Sequence, residues 1–161
     1  CGLRLVAAKQ GPMELTPPID DFPPQPRPPS IYDAIDSEDF DLALQIVTDD
    51  PSAIDVVDAI PPPLHNCVYA DKPKMLEWLL DHGANLEHRD QDNGSTPLCT
   101  AIVMRRPSII RALVKRGADT TQAMDMAERG LAGAFEDDPS LDREGYREIV
   151  KLLRELRIPP T

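Results

Sequence analysis

Aromatic side chains are scarce in this chain: three Phe, three Tyr and one Trp among 161 residues. So thin a supply disfavours a surface that stacks on nucleobases. Positive charge is also in deficit, with 17 Lys and Arg against 28 Asp and Glu and a pI near 4.6. That balance argues against a nucleic-acid partner, because phosphate binding needs a basic surface. No run approaches the roughly 18 apolar residues of a membrane span, so an integral membrane protein is not expected. The apolar stretch from Leu5 to Ala8 is too short for a secretory signal. Three cysteines, Cys1, Cys67 and Cys99, are too few for a disulfide framework and point to a reducing, intracellular compartment. Gly-rich phosphate loops and nucleophile elbows are absent. At 41% hydrophobic the chain can still fold, as one domain.

Proline, by contrast, is abundant: 18 of 161 residues, about double the usual share of roughly 5%. Seven of the fifteen residues from 16 to 30 are Pro, which rules out a helix or a central strand there. Polyproline II is the natural conformation. Residues 1–29 are therefore read as an extended leader or linker, and the spacing of Arg27 does not fit the usual SH3 ligands. The character of the chain changes at Met13, and residues 1–12 are set apart from the fold, as a stretch upstream of the true start or part of a tag or fusion. Ser30 and the acids after it can start a helix, which places the folded domain at 30–158. Acidity is concentrated at its beginning, where residues 20–60 carry eleven acids and a single base, Arg27.

The body of the chain repeats. Pro63-Leu64-His65-Asn66-Cys67 returns 34 residues later as Pro97-Leu98-Cys99-Thr100-Ala101, and Leu79-Leu80-Asp81-His82-Gly83-Ala84-Asn85 returns at the same offset as Leu113-Val114-Lys115-Arg116-Gly117-Ala118-Asp119. Two segments sharing one offset define a repeat. Each unit predicts a first helix opened by Pro, with a small residue (Cys67, Ala101) on its packed face. A turn follows at Ala70 to Pro73 or Met104 to Pro107. The second helix has an apolar face, Met75, Leu76, Leu79 and Leu80 or Ile109, Ile110, Leu113 and Val114. Gly83 and Gly117 then end it in the left-handed conformation, and a polar hairpin turns at Asp92-Asn93-Gly94.

These motifs resemble the ankyrin repeat, whose consensus runs Asp-x-x-Gly-x-Thr-Pro-Leu-His-x-Ala and then Leu-Leu-x-x-Gly-Ala. Asp92 to Ala101 follows it with Cys99 in place of the His, and residues 62–65 keep His65 but have Pro62 in place of the Thr. The resemblance implies an all-α solenoid of about four repeats including caps. It also makes His65 architectural rather than catalytic. Upstream, Ala34 lies 33 residues before Cys67, which marks an N-terminal capping repeat. Downstream, Met124 to Ala127 and Ile149 to Leu153 are expected as the two helices of a last repeat, separated by an insertion at 130–145 whose composition suggests a loop, though Leu131 to Phe135 could extend the first helix or cover the groove.

The resemblance further implies a protein-interaction module, an adaptor or scaffold without catalysis or cofactor, acting as a monomer. Ankyrin repeats commonly dock partners on the exposed stripe of the first helices and on the hairpin tips. By register the stripe is Asn66, Tyr69, Ala70, Thr100, Val103 and Met104, and the tips include Glu87, His88 and Arg89. The acidic N-terminal end suits a basic partner, while Arg105, Arg106, Arg111, Lys115 and Arg116 form a basic cluster open to an acidic one. Either the leader or the 130–145 loop could instead cover the stripe. Two rival functions follow from other features. One is the regulatory ankyrin domain of a larger enzyme. The other is a metal or catalytic site on His65 and Cys67, which the packed position of Cys67 disfavours, because only one neighbour could share its direction.

Overall fold

The computed structural model describes residues 27–56, 61–133 and 143–157. Eight α-helices and one 3-10 turn run in chain order among them: α1 (Ile31–Ser37), α2 (Phe40–Asp49), the 3-10 turn (Pro51–Asp55), α3 (Pro63–Tyr69), α4 (Pro73–Asp81), α5 (Pro97–Val103), α6 (Pro107–Lys115), α7 (Thr120–Leu131) and α8 (Arg143–Arg157). No strand occurs among the described residues. Each odd-numbered helix packs on the helix that follows it. The odd helices α1, α3, α5 and α7 stack in one row, and α4, α6 and α8 stack in a second.

The small-residue register sets the close approach of the first row. Ala34, Cys67, Ala101 and Ala127 are all fully buried, one per odd helix, as the repeat spacing predicts. Proline opens α3, α4, α5 and α6, where its missing N–H removes no helix bond. Side-chain caps start α2, α7 and again α5: Asp39 accepts from Leu42 N at 3.0 Å, Asp119 from Thr121 N at 2.9 Å and Thr96 from Cys99 N at 3.3 Å. Gly83 and Gly117 adopt φ +97° and +91°, the expected left-handed ends of α4 and α6.

Inside the repeats the turn between the two helices is left-handed at a non-glycine residue. Glu38, Asp71 and Arg105 occupy equivalent sites with φ of 54–55°. In each, the residue after the turn closes a six-residue loop: Asp39 N to Ala34 O at 2.9 Å, Lys72 N to Cys67 O at 2.8 Å and Arg106 N to Ala101 O at 2.9 Å. These bonds satisfy carbonyls that the short helices would otherwise leave open. Ion pairs link successive turns, Lys72 to Glu38 at 3.6 Å and Arg106 to Asp71 at 3.1 Å.

A second tie joins neighbouring repeats from within. The His65 ring donates through Nε2 to Ser95 O at 3.0 Å. Tyr32, at the matching position one repeat earlier, donates its hydroxyl to Pro61 O at 3.0 Å. His65 is therefore architectural, and the first repeat performs the same task with a phenol. Burial dominates the electrostatics of His65 and pushes its pKa below the usual value, against smaller raising effects from the Ser95 bond and Asp90. Its Nδ1 is buried with no partner, which fits a neutral ring.

The last repeat narrows the expected loop at 130–145. Gly130 belongs to α7 and Gly145 to α8, while Leu131 extends the first helix of the repeat, as the alternative expectation had it. The rest of that expectation, residues 134–142, lies outside the described residues, as does most of the leader. Gly130 is in α7 for a steric reason. A Cβ built there would stand 2.6 Å from the ring of Tyr146 on α8, so glycine is what lets α7 and α8 close.

Two predictions follow from these contacts. Helix propensity alone would make Gly130→Ala stabilising by about 1 kcal/mol. The buried Tyr146 ring reverses the sign, and the variant should lose about 1–3 kcal/mol in a denaturant titration. For His65, a folded pKa below the unfolded value of about 6.5 means the unfolded chain binds the proton better. Its contribution is complete above that value and declines as pH falls through it. Melts at pH 7 and pH 5 should therefore show a larger drop for wild type than for His65→Gln, which keeps a donor for Ser95 O. Equal drops would show that His65 carries no such linkage.

Candidate functional site

The first-helix row leaves a shallow groove of about 290 Å³ between repeats. Its apolar walls are Tyr69 at the end of α3, Val103 and Met104 at the end of α5, and Met126 on α7. Asn93, Ser95 and Thr100 form its polar end. Tyr69, Val103 and Met104 are 36%, 45% and 40% exposed, among the few large apolar side chains left open to solvent. Tyr69 and Val103 stand at the same site in successive repeats, so the exposed patch is a product of the repeat register.

The hairpin wall is built from its own backbone. Asp90 N donates to Ser95 O at 3.0 Å, Gly94 N to Asp90 O at 2.7 Å, and Asp92 N to the buried Asp90 carboxylate at 2.9 Å. Ser95 O accepts from both Asp90 N and the His65 ring, so His65 pins the groove's polar end from beneath. The Ser95 and Thr100 hydroxyls lie 2.9 Å apart. The Tyr69 phenol is held above its ordinary pKa, first by partial burial and then by Asp90 and Asp92. It therefore remains a hydrogen-bond donor at neutral pH.

Several expected docking residues are elsewhere than register implied. Thr100 is buried, only 5% exposed, because the hairpin folds over it and engages its hydroxyl. It forms the groove floor, not an exposed stripe. Asn66 is half-buried and Ala70 is exposed. His88 is not a tip either: its ring turns back onto the preceding repeat, with Nδ1 2.5 Å from Asp55 Oδ1. Glu87 and Arg89 are exposed but engaged with the following repeat. Glu87 accepts from Asp119 N at 2.8 Å, and Arg89 donates to Gly94 O at 2.8 Å and Gln122 Oε1 at 3.4 Å. The exposed crest of this hairpin is residues 91–94. Asn93 was expected at the hairpin tip, whereas Met126 and Ser95 were not expected in the site. Met126 was within reach of the register, since it precedes Ala127 as Thr100 precedes Ala101.

The chemistry-bearing side chains show no reactive arrangement among the described residues. Cys67 is fully buried and its thiol is pushed up to about 12, mainly by burial, so it does not supply a thiolate at neutral pH. Cys67 and Cys99 are free. No three His, Cys, Asp or Glu side chains among the described residues converge on a point where a metal ion could be held. The basic cluster is partly neutralised from within, Arg106 by Asp71 and Arg116 by Asp81 at 2.8 Å. Trp78 is half-buried on α4 and stacks on His82 with ring centroids 3.8 Å apart, an intrahelical contact. No helix among the described residues is long and apolar enough to cross a membrane.

Comparison with known proteins agrees with the repeat register. A rice protein (Oryza sativa subsp. japonica), the BTB/POZ domain and ankyrin repeat-containing protein NPR3, is 33% identical over 94 residues. The alignment covers 58% of this chain and 15% of the rice protein, so the chain matches only a small part of that relative's length. A family model of ankyrin repeats, in three copies, matches residues 31–124, from α1 into α7. The stacked helix pairs, their small-residue register and this match together place the chain in the ankyrin-repeat family.

Proposed function

We propose that this chain is a protein-interaction module, an adaptor without catalysis of its own, that receives a partner protein in the groove between Tyr69, Val103 and Met104. Ankyrin repeats are in general protein–protein interaction modules. The observation that carries the finer reading is the exposed apolar trio set around a rigid, hydrogen-bonded hairpin. Contiguous exposed apolar surface rimmed by polar groups marks a docking site. Tyr69 adds a rigid ring with a donor at its tip, the kind of side chain that anchors interfaces. The hairpin crest at 91–94 extends the contact, and the free buried thiols suit a reducing compartment, cytoplasmic or nuclear. The module acts as a monomer toward its partner.

A second reading keeps the same groove but places the repeats as a regulatory part of a larger protein, an enzyme being one case. It is favoured by the rice relative, whose printed name couples ankyrin repeats to a BTB/POZ domain. Both readings use the groove in the same way and differ in what lies beyond this chain.

The decisive variants are Tyr69→Arg and Val103→Glu. Both side chains are exposed, so stability should stay within about 0.5 kcal/mol of wild type in thermal melts. Affinity for a partner recovered by affinity purification and mass spectrometry should fall about tenfold or more, because a charge is left unpaired in a dry contact. Unchanged affinity with unchanged melts would move the site to the hairpin crest. A partner drawn by the acidic N-terminal end should also be salt-sensitive, losing about tenfold or more in affinity between about 0.05 M and 1 M salt. An affinity indifferent to salt would remove that end from recognition.

A further inference from the structure

The row of first helices presents one register position to solvent in every repeat. Two residues after the small packed residue stand Asp36 on α1, Tyr69 on α3, Val103 on α5 and Arg129 on α7, and all four are exposed. Ala34, Cys67, Ala101 and Ala127, which set that register, are fully buried. The stripe therefore runs acid, apolar, apolar, base across the array. The next position carries Ser37, Ala70, Met104 and Gly130 and adds no charge.

The two end charges are available to a partner. Asp36 makes no hydrogen bond or ion pair among the described residues. Its charge is felt by the Cys67 thiol, which places it on the side of α1 nearest α3. Arg129 meets Asp125, one turn back on its own helix, at 3.9 Å, with the two side chains 63% and 72% exposed. So open a pair holds the guanidinium weakly. Neighbouring charges are engaged elsewhere: Glu38 with Lys72, Asp71 with Arg106, and Glu128 with Arg154. Arg105 lines a separate groove against α6 and α8. The hairpin repeats the order of the stripe. Asp92 on its crest stands near Tyr69, while Arg89 reaches across to Gln122 of α7.

We propose that the groove takes an extended partner segment that crosses the first-helix row, with an apolar centre, a basic side chain over Asp36 and an acidic one over Arg129. This rests on the reading of the Tyr69 and Val103 groove as a docking site, and adds the chemistry and the direction of what docks there.

Spacing sets the length of the segment. Packed helices stand about 8–10 Å apart, so the three steps from α1 to α7 cover about 24–30 Å. An extended chain rises about 3.3 Å per residue, which puts the two charges about seven to nine residues apart. Alternate side chains of such a chain point the same way, so those facing the array meet Tyr69 and Val103. The Tyr69 hydroxyl supplies a donor for a backbone carbonyl of the segment. Opposite charges at the two ends fix its orientation and reject the reversed one. A second copy of this chain is a poorer occupant, because each copy carries a net charge of −11 and like charge opposes self-association.

The test is selection from a displayed library of random peptides long enough to span the row, with the full chain as bait and, in parallel, Asp36→Lys/Arg129→Glu. Both changed residues are exposed, so the melts of the double variant should match wild type. Wild type should enrich peptides with Lys or Arg and Asp or Glu about seven to nine residues apart around an apolar centre. The double variant should enrich the reverse order. A peptide selected on wild type should bind the double variant, and separately Tyr69→Arg, about tenfold more weakly. Peptides that need Tyr69 but carry no paired end charges, or whose order does not reverse, would overturn the proposal and leave the groove as the docking site. Peptides indifferent to Tyr69→Arg, or no enrichment at all, would overturn both. A dimer in sedimentation that is lost in Tyr69→Arg would give the groove to a second copy and also overturn the proposal.

Discussion

No helix pair in this chain can bury its own apolar face, and every other feature follows from that constraint. Leu64, Met75 and Leu79 are sealed because the flanking pairs cover them. Stability in such an array is shared between neighbours. The close stacking needs a side chain of minimal width at one point of each first helix, supplied by Ala34, Cys67, Ala101 and Ala127. The polar ties between repeats act on a different quantity. Ion pairs near the surface, such as the half-buried Lys72 with Glu38, contribute about 0–1 kcal/mol each. Their recurrence at one turn, with the buried bonds of Tyr32 and His65, sets the register of one repeat on the next more than it sets stability.

The groove is a by-product of the same stacking. Small buried residues hold α3 and α5 together, so the side chains two positions on, Tyr69 and Val103, are brought side by side at the helix ends. The hairpin supplies the third wall, and it is rigid because Ser95 O is held from two sides. The same packing governs the chemistry-bearing side chains of the repeats. His65 and Cys67, the residues nearest to a reactive pair in sequence, face the interior, one bonded to a backbone carbonyl and the other with its thiol kept protonated by burial.

The helix pairs were legible because periodicity, Pro and Gly act locally, and the offset of 34 reports the stacking geometry directly. Register also carried the burial of Cys67 and Ala101 and the exposure of Tyr69, Val103 and Met104. It failed at Thr100 and His88, where a side chain's direction is decided by a contact with a different segment. Thr100 is covered by its own hairpin, and His88 is drawn back by Asp55, 33 residues earlier. The inserted loop was drawn too wide because Gly130 reads as a loop residue when Tyr146 is not in view. Tyr32 was hidden for a related reason: a phenol does not look like the motif's imidazole, although both need only one donor.

The place of the groove in the array bears on how firmly it is held. Among the described residues the α1–α2 pair has the least covered interface, since its Leu42 and Ile46 are only partly buried where their counterparts are sealed. Opening it would release the Tyr32 bond to Pro61 O and the Asp55 contact of His88. It would leave intact the His65 bond to Ser95 O and the packing of α3 on α5, which form the groove. The candidate docking face is thus one repeat removed from that pair. On the other side it is backed by α7 and α8, joined where Gly130 admits the Tyr146 ring. A binding surface set among the middle repeats is held from both sides, so its shape depends on α3, α5 and α7 more than on the α1–α2 pair.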